Sequence, residues 1–124
     1  MKLLDTSVAV DHLRGLPEAV SLLGGLLEVE ELLLASEVVR FELLAGRKGE
    51  VEALEQFFSA LSWVPVGEEV VRTAGALAQR HRRSHSGIDD ADYLIAATAL
   101  LLDADLLTTN VRHFPMIHGL ESAY

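Results

Sequence analysis

Four residues carry oxygen donors at points where a fold could bring them together. Asp5 and Asn110 each follow a short apolar run, Glu42 lies within an apolar segment, and Asp92 lies near the start of the most apolar segment. Carboxylate and amide oxygens are the ligands that Mg²⁺ and Mn²⁺ prefer, whereas Zn²⁺ favours His or Cys. If these side chains converge, they would hold a hard divalent cation. Such a cation activates water and stabilises the charge that develops when a phosphodiester is cleaved.

Asp5 and Asn110 also have ordinary structural explanations. Asp is frequent at helix N-caps, and Asn is frequent in turns. Thr6 and Ser7 follow Asp5 directly and could cap the next helix equally well, so capping does not require Asp5. Both explanations of each residue stay open from the sequence pattern.

Glu42 lies on an apolar face of its predicted helix. Its neighbours three and four positions away are Val38, Val39, Ala45 and Gly46, and none of them is basic. A carboxylate in apolar surroundings is unfavourable unless another group satisfies it. A metal ion, a basic residue distant in the chain or a raised pKa would each relieve this cost.

Three acids, Asp89, Asp90 and Asp92, open the most apolar predicted helix. The helix dipole favours acids in a first turn, but three in four positions repel one another unless a cation lies nearby. Asp92 shares a helix face with Ile95 and is expected to point towards the interior. Asp90 faces another direction, where it would cap the helix or support a neighbouring ligand.

Short apolar runs alternate with longer helical patterns along the chain. We predict strands over residues 2–5, 31–35, 62–66 and 105–108. We predict helices over residues 6–14, 17–27, 36–46, 48–60, 68–83 and 88–104. This alternation favours an α/β fold in one domain (residues 1–124), with a small parallel sheet of four to five strands and helices on both faces. Ligand sites of such folds lie outside the carboxyl ends of the strands, where Asp5 and Asn110 would meet.

Composition limits the classes of function. The chain has no cysteine, which excludes disulfides, thiolate zinc sites and cysteine nucleophiles. Half of its residues are apolar, as in a folded domain. Asp5 interrupts the N-terminal apolar stretch, and the longest apolar run is shorter than a membrane span. We therefore expect a cytoplasmic protein with no membrane partner.

The charge balance is strongly acidic. The chain has 19 acidic residues against 10 Lys and Arg, for a formal charge of −9. This balance argues against a nucleic-acid partner, because neutralising phosphates requires Lys and Arg. A bound divalent cation would reverse the local field at an acidic site, so the objection applies only to the metal-free protein.

Three basic residues, Arg80, Arg82 and Arg83, lie just before the acidic helix start. One explanation is a helix C-terminus whose cations complement the helix dipole. The other is a lip beside the metal site that contacts the phosphates of a nucleic acid. The residues that could extend this lip are Arg14, Arg47, Lys48 and Arg112.

Four strings in this order resemble the PIN domain, especially the VapC-type toxins of bacterial toxin–antitoxin pairs. They are LLDTSVAVDHLRG (3–15), FELLAG (41–46), IDDADYLIAATAL (88–100) and LLTTNVRHF (106–114), and together they span almost the whole chain.

The resemblance implies a role for each candidate residue. Asp5, Glu42 and Asp92 match the metal-binding acids, and Asn110 occupies the fourth site position. Many PIN domains carry Asp at that fourth position, so Asn110 leaves three carboxylates and weakens the case for a second metal. The residues expected to support these ligands are Ser7, Asp90 and Thr108.

The resemblance also implies an activity. It is a metal-dependent endoribonuclease that uses Mg²⁺, or alternatively Mn²⁺, and leaves a 5′-phosphate and a 3′-hydroxyl on the RNA substrate. The implied partners are a small antitoxin protein that blocks the site and a second copy of the chain in a homodimer.

Three other functions compete with this one. Two use the same fold: a catalytically silent interaction module, and a PIN nuclease of RNA processing that is not a toxin. The third is a phosphoreceiver domain, which needs a Lys after a late strand. The only lysines are Lys2 and Lys48, and neither follows such a strand, so we set the third aside.

Overall fold

The computed structural model describes residues 1–46 and 49–124. Its strands are β1 (Lys2–Leu4), β2 (Leu33–Ser36), β3 (Ser62–Val64) and β4 (Asp105–Leu107). Its helices are α1 (Thr6–Leu13), α2 (Pro17–Glu28), α3 (Glu37–Ala45), α4 (Val51–Ser59), α5 (Glu68–His81) and α6 (Asp90–Leu102), followed by a single 3₁₀ turn over Val111–His113. The predicted elements are present with ends that differ by a few residues. Lys48, the predicted start of the fourth helix, lies outside the described residues.

The sheet confirms the predicted parallel α/β architecture. Its four strands lie in the order β3-β2-β1-β4, and each neighbouring pair is parallel. The chain builds outward from β1 to β3 and then returns to place β4 on the other side of β1. Ligand sites of open α/β sheets form at such a change of direction. Leu4 pairs with Leu107, so Asp5 and Thr108 follow their strands at this same point.

Helix α6 forms the centre of the core. Residues 92–93 and 95–99 of this helix are all buried, as its apolar sequence predicts. Its start is fixed by a capping box, in which Asp89 accepts from the backbone N–H of Asp92 and Asp92 accepts from that of Asp89. The cap is thus Asp89 and not Asp90. This arrangement holds Asp92 at the buried end of the helix.

The junction of β2 and α3 sets the position of Glu42. Ser36 ends β2, is fully buried, and its Oγ accepts from the Val38 N–H at 3.2 Å, as predicted for a helix cap. Val39 and Leu43 of α3 then pack into the core. Glu42 precedes Leu43 and reaches α1.

Within residues 1–46 and 49–124, none of the helices combines the length and the apolar character that a membrane crossing requires.

Candidate active site

Asp5 is fixed at the end of β1. Its backbone N–H donates to the carbonyl of Leu107 at 2.9 Å, and its side chain is only 3% exposed. It stands at the N-cap position of α1, but its carboxylate makes no capping hydrogen bond. The structure therefore removes the capping explanation and leaves this buried carboxylate available to a ligand.

Two hydroxyl groups hold one oxygen of Asp5. Ser7 Oγ and Thr108 Oγ1 donate to Asp5 Oδ2 at 2.8 and 2.7 Å. These hydroxyls are themselves fixed, because Ser7 Oγ accepts from the Thr109 N–H and Thr108 Oγ1 accepts from the Asn110 N–H. Ser7 and Thr108, both predicted to support the ligands, thus connect Asp5 to the loop that carries Asn110.

Asp92 lies at the start of α6 and is 8% exposed. Its Oδ2 accepts from the Asp89 N–H at 3.2 Å and lies 3.2 Å from His113 Nδ1. Burial, together with the charges of Asp89 and Asp5, raises the pKa of Asp92 to about 6, although the Asp89 N–H and His113 act in the opposite direction. Both effects that raise the pKa disfavour the ionised form, and a nearby cation would oppose them.

Glu42 reaches the same cleft from α3. Thr6 Oγ1 donates to Glu42 Oε1 at 2.7 Å. Burial raises the pKa of Glu42 against this hydrogen bond, and the charges of Asp89 and Asp5 add to the rise. Of the three explanations for an acid on an apolar face, the raised pKa applies here. Thr6 adds a hydroxyl partner that the sequence pattern did not predict. No cation within the described part of the chain pairs with it.

One oxygen of each of the three acids is held and the other is free. Asp5 Oδ2, Asp92 Oδ2 and Glu42 Oε1 accept the hydrogen bonds described above. Within residues 1–46 and 49–124, the second oxygen of each acid has no hydrogen-bond partner. These free oxygens are the donors that a ligand in the cleft would use.

The acids line one open cleft of about 410 Å³. Of the predicted residues, it is lined by Asp5, Glu42, Asp92, Asn110, Ser7 and Arg14. Six further residues line it that were not predicted as site residues: Thr6, Val10, Asp11, Asp89, Thr109 and His113. In the described ranges, no three His, Asp or Glu side chains stand in the arrangement of a finished metal site. The donors line one cleft, but they do not converge on a single point.

The sequence profile of the PIN domain matches residues 2–117. The chain belongs to the PIN domain family. This match confirms the resemblance of the four strings.

Curated PIN domain relatives cover the whole chain. A protein named ribonuclease VapC19, from Mycobacterium tuberculosis, is 62% identical over the full length of both chains. A ribonuclease VapC10 from the same species is 38% identical over all of this chain and 93% of its own. Among solved structures, a toxin–antitoxin complex from Klebsiella pneumoniae has a chain that superposes with a TM-score of 0.81 at 24% identity, covering 100% of this chain and 98% of that one. That likeness supports the PIN fold.

The donor set of this PIN domain fits a hard divalent cation. The free oxygens belong to carboxylates, which Mg²⁺ and Mn²⁺ prefer. Like charges on Asp5 and Asp89 raise the pKa values of both Glu42 and Asp92, so a cation placed among them would be stabilised by all four groups. His113 is the single imidazole that lines the cleft, which makes the set unlike a zinc site.

The structure places some predicted residues away from the cleft. Asp90 is exposed and pairs with Arg82 at 2.8 Å on the outside of the α6 start. Arg80 and Arg83 are exposed and do not line the cleft, nor does Arg112. Arg47 and Lys48 lie outside the described residues.

A second, more apolar groove adjoins the cleft. It has a similar volume of about 410 Å³ and is bounded by α1, α3 and α4. Leu13, Leu43 and Leu54 line its floor, and Arg14 and Glu42 line both cavities. The cleft and the groove therefore adjoin at these shared residues.

Proposed function

We propose that this PIN domain is a divalent-metal-dependent endoribonuclease of the VapC type. Its ligands would be Asp5, Glu42 and Asp92, with Asn110 at the fourth position. The observation that carries the proposal is the common pattern of the three acids, each with one oxygen tied by the protein and one free in a single cleft. The names of its relatives as ribonucleases support RNA as the substrate.

Each residue has a defined task in this proposal. When bound, Mg²⁺ or Mn²⁺ supplies the positive charge that activates water and stabilises the charge developing on the phosphodiester. Asp5 provides a fixed ligand at the sheet edge, because Ser7 and Thr108 hold its other oxygen. Glu42 and Asp92 approach from the helices. Asn110 would add a neutral amide donor to these three carboxylates.

The substrate would approach across basic residues near the cleft. Arg14 lines the cleft itself. Arg82 reaches the start of α6 through Asp90, and Arg80 and Arg83 lie on the same exposed segment. Long-range attraction from this segment would draw the RNA backbone towards the cleft. The proposal places this reaction in the cytoplasm, where RNA is available.

The proposal includes a toxin role with two protein partners. A small antitoxin would block the cleft, and the apolar groove beside it offers a peptide both apolar contacts and the charged edge formed by Arg14 and Glu42. The likeness to a chain of a toxin–antitoxin complex supports this partner. A homodimer would cover exposed apolar side chains such as Phe41 of α3, which is 69% exposed.

The deciding experiment measures cleavage of a set of structured RNAs by the purified chain. We expect cleavage with Mg²⁺ or Mn²⁺, none with EDTA, and a loss of about 1000-fold or more in kcat/KM for the isosteric variant Asp5→Asn. Cleavage that persists in EDTA, or at the wild-type rate in Asp5→Asn, would overturn the assignment. RNA binding without cleavage would identify a silent module. Cleavage without growth arrest on expression would identify a PIN nuclease that is not a toxin.

A further inference from the structure

Tyr124 is held beside the acidic cleft by two hydrogen bonds of its segment. The Ala123 N–H donates to the Thr108 carbonyl at 2.9 Å, which ties the segment to the loop after β4. The Tyr124 hydroxyl donates to Oδ2 of Asp11, a residue of α1 that lines the cleft. Burial and, after it, this hydrogen bond raise the pKa of the Tyr124 phenol, so the hydroxyl remains a donor at neutral pH. Tyr124 therefore occupies a carboxylate at the edge of the cleft.

Arg14 lies three positions after Asp11 and has no acidic partner. It is exposed, and it lines both the cleft and the apolar groove. Residues three positions apart on a helix are neighbours, and Asp and Arg at this spacing form ion pairs. Arg14 keeps helical backbone angles at the end of α1, so the spacing applies to this pair. Yet within residues 1–46 and 49–124, no carboxylate lies within ion-pair distance of the Arg14 guanidinium.

A pair of the same spacing in α3 shows the alternative. There, the Arg40 guanidinium binds the carboxylate of Glu37, three positions before it. Among the described residues, the Glu37 side chain accepts hydrogen bonds from Arg40 alone. The Asp11 side chain instead accepts from the hydroxyl of Tyr124. The difference between the two helices is thus that a neutral donor already occupies the acid in front of Arg14.

We propose that Tyr124 is a positioning residue for RNA binding, because it holds Asp11 and thereby keeps Arg14 available to a phosphate of the RNA. The inference deepens the proposed function and rests on it. A tyrosine hydroxyl satisfies the carboxylate without a charge, so no cation of the protein is consumed. The Arg14 guanidinium keeps its donors, which match a phosphate group in a bidentate arrangement. Arg14 is then an unpaired cation in a cleft lined by acids, where a phosphate backbone needs such a contact.

The test uses single substitutions at the three residues. Tyr124→Phe removes the hydroxyl and keeps the ring, Asp11→Asn removes the charge that would pair with the guanidinium, and Arg14→Gln removes the phosphate contact itself. Ser122→Ala is the matched control, because it removes an exposed hydroxyl of the same segment that donates to the Tyr124 carbonyl. Each variant is first checked for an unchanged Tm and circular dichroism spectrum in EDTA.

The readouts are kcat and KM for RNA cleavage at low salt, the dependence of KM on salt, and the Kd for Mn²⁺ measured by calorimetry with the metal alone. We expect Tyr124→Phe to raise KM by about two- to threefold, because Asp11 then competes for Arg14. The kcat and the Kd for Mn²⁺ should keep their wild-type values. Arg14→Gln should raise KM by about three- to tenfold and lower the salt slope by about one charge. Ser122→Ala should match the wild type.

Double variants separate this role from a direct contact between Tyr124 and the RNA. When Tyr124→Phe is added to Asp11→Asn or to Arg14→Gln, KM should not rise further, because the competing ion pair cannot form. A hydroxyl that contacts the RNA directly would raise KM in both backgrounds, and this result would overturn the inference. A lower kcat or a weaker affinity for Mn²⁺ in Tyr124→Phe would also overturn it, since the hydroxyl would then support the metal site.

The inference and the proposed function fail in different ways. If the wild-type chain binds Mn²⁺ and cleaves RNA while Tyr124→Phe has the wild-type KM, the positioning role is wrong and the proposed function stands. If the wild-type chain neither binds Mn²⁺ nor cleaves RNA, the proposed function falls, and the inference falls with it.

Discussion

Asp5 and Glu42 line the same cleft but are held in different ways. Asp5 has a short side chain and is the first residue after the central strand β1. Its backbone N–H donates to the Leu107 carbonyl, and two hydroxyls donate to one of its carboxylate oxygens. Glu42 has a longer side chain on α3, is less completely buried, and receives one hydroxyl from Thr6. The sheet supplies a fixed ligand, and the helix supplies one with more torsional freedom.

This difference suggests a division of work. Asp5 would keep its position when a cation binds, because moving Asp5 would break the hydrogen bonds that join the ends of β1 and β4. Glu42 can rotate about its side-chain torsions at the loss of one exchangeable hydrogen bond, which contributes only about 0.5–1.5 kcal/mol. Substitutions at the two residues should therefore differ in size and in kind.

The largest expected effect is at Asp5. Asp5→Asn keeps the shape but removes a fixed negative charge from the cation, so kcat/KM for RNA should fall by about 1000-fold or more. For Glu42→Gln, the matched variant, the loss in kcat/KM should be smaller than the loss for Asp5→Asn by a factor of at least about 10. Steady-state kinetics at saturating Mg²⁺ measures both. Equal losses would show that Glu42 is as fixed as Asp5.

A smaller effect is expected where the fixed ligand is supported. Thr108→Val removes one of the two donors to Asp5 Oδ2 and the acceptor for the Asn110 N–H, so the buried carboxylate keeps only its Ser7 hydrogen bond and the N–H loses its acceptor. Unfolding free energy should fall by about 1–3 kcal/mol. Thr108→Ser keeps the hydroxyl and is the control. Thr6→Val, which removes the donor to Glu42, should lower the free energy of unfolding by less than Thr108→Val does. A denaturant titration in which Thr6→Val is the more damaging change would reverse the comparison.

Asp92 gives a pH dependence of stability in the metal-free protein. Its pKa is raised to about 6, above the usual value of an unfolded Asp, so the folded state binds this proton more tightly. The contribution of this group to stability is present below about pH 4 and is lost as pH rises through about 6, by on the order of 2–3 kcal/mol.

The matched variant isolates this contribution. In EDTA at pH 7, Asp92→Asn should be more stable than the wild type, and the difference should vanish near pH 4. Added Mn²⁺ should stabilise the wild type and not the variant. Urea unfolding at a series of pH values checks this, and a wild type as stable as Asp92→Asn at pH 7 in EDTA would contradict it.

The smallest effects are expected outside the cleft. The Arg82–Asp90 ion pair is exposed on both sides, so Arg82→Gln should change stability by less than about 1 kcal/mol. The double variant with Arg83→Gln should raise KM for RNA and flatten its dependence on salt by about one to two charges, while kcat stays near the wild-type value. An unchanged salt slope would remove this segment from the RNA path.

The sequence pattern predicts the site residues at the sheet edge better than it predicts the side-chain contacts made by the helices. Asp5 and Thr108 each directly follow an apolar run, and Ser7 lies two residues after Asp5. Parallel pairing of the two strands is enough to bring all three residues to one edge of the sheet. Glu42 was selected because an acid on an apolar face needs a partner, but the pattern could not name Thr6 as that partner. The side-chain contact depends on how α1 and α3 pack, which is a tertiary property.

Two further differences have the same origin. Asp89 and not Asp90 caps α6, because the helix begins at Asp90, two residues later than predicted, and Asp90 points outward to Arg82. His113 reaches Asp92 only through the 3₁₀ turn after Asn110, and no periodicity in the sequence marks a single turn of this kind.

The pairing of β1 with β4 has a consequence for synthesis of the chain. Asp5 is synthesised before its Thr108 partner, which follows 103 residues later, and Asn110 and His113 come later still. At about 5–20 residues per second, a translating ribosome takes roughly 5–20 s to supply Thr108. Until then a nascent chain lacks the Thr108 hydroxyl that supports Asp5. The cleft is therefore assembled only after the segment that carries Thr108, Asn110 and His113 has been synthesised.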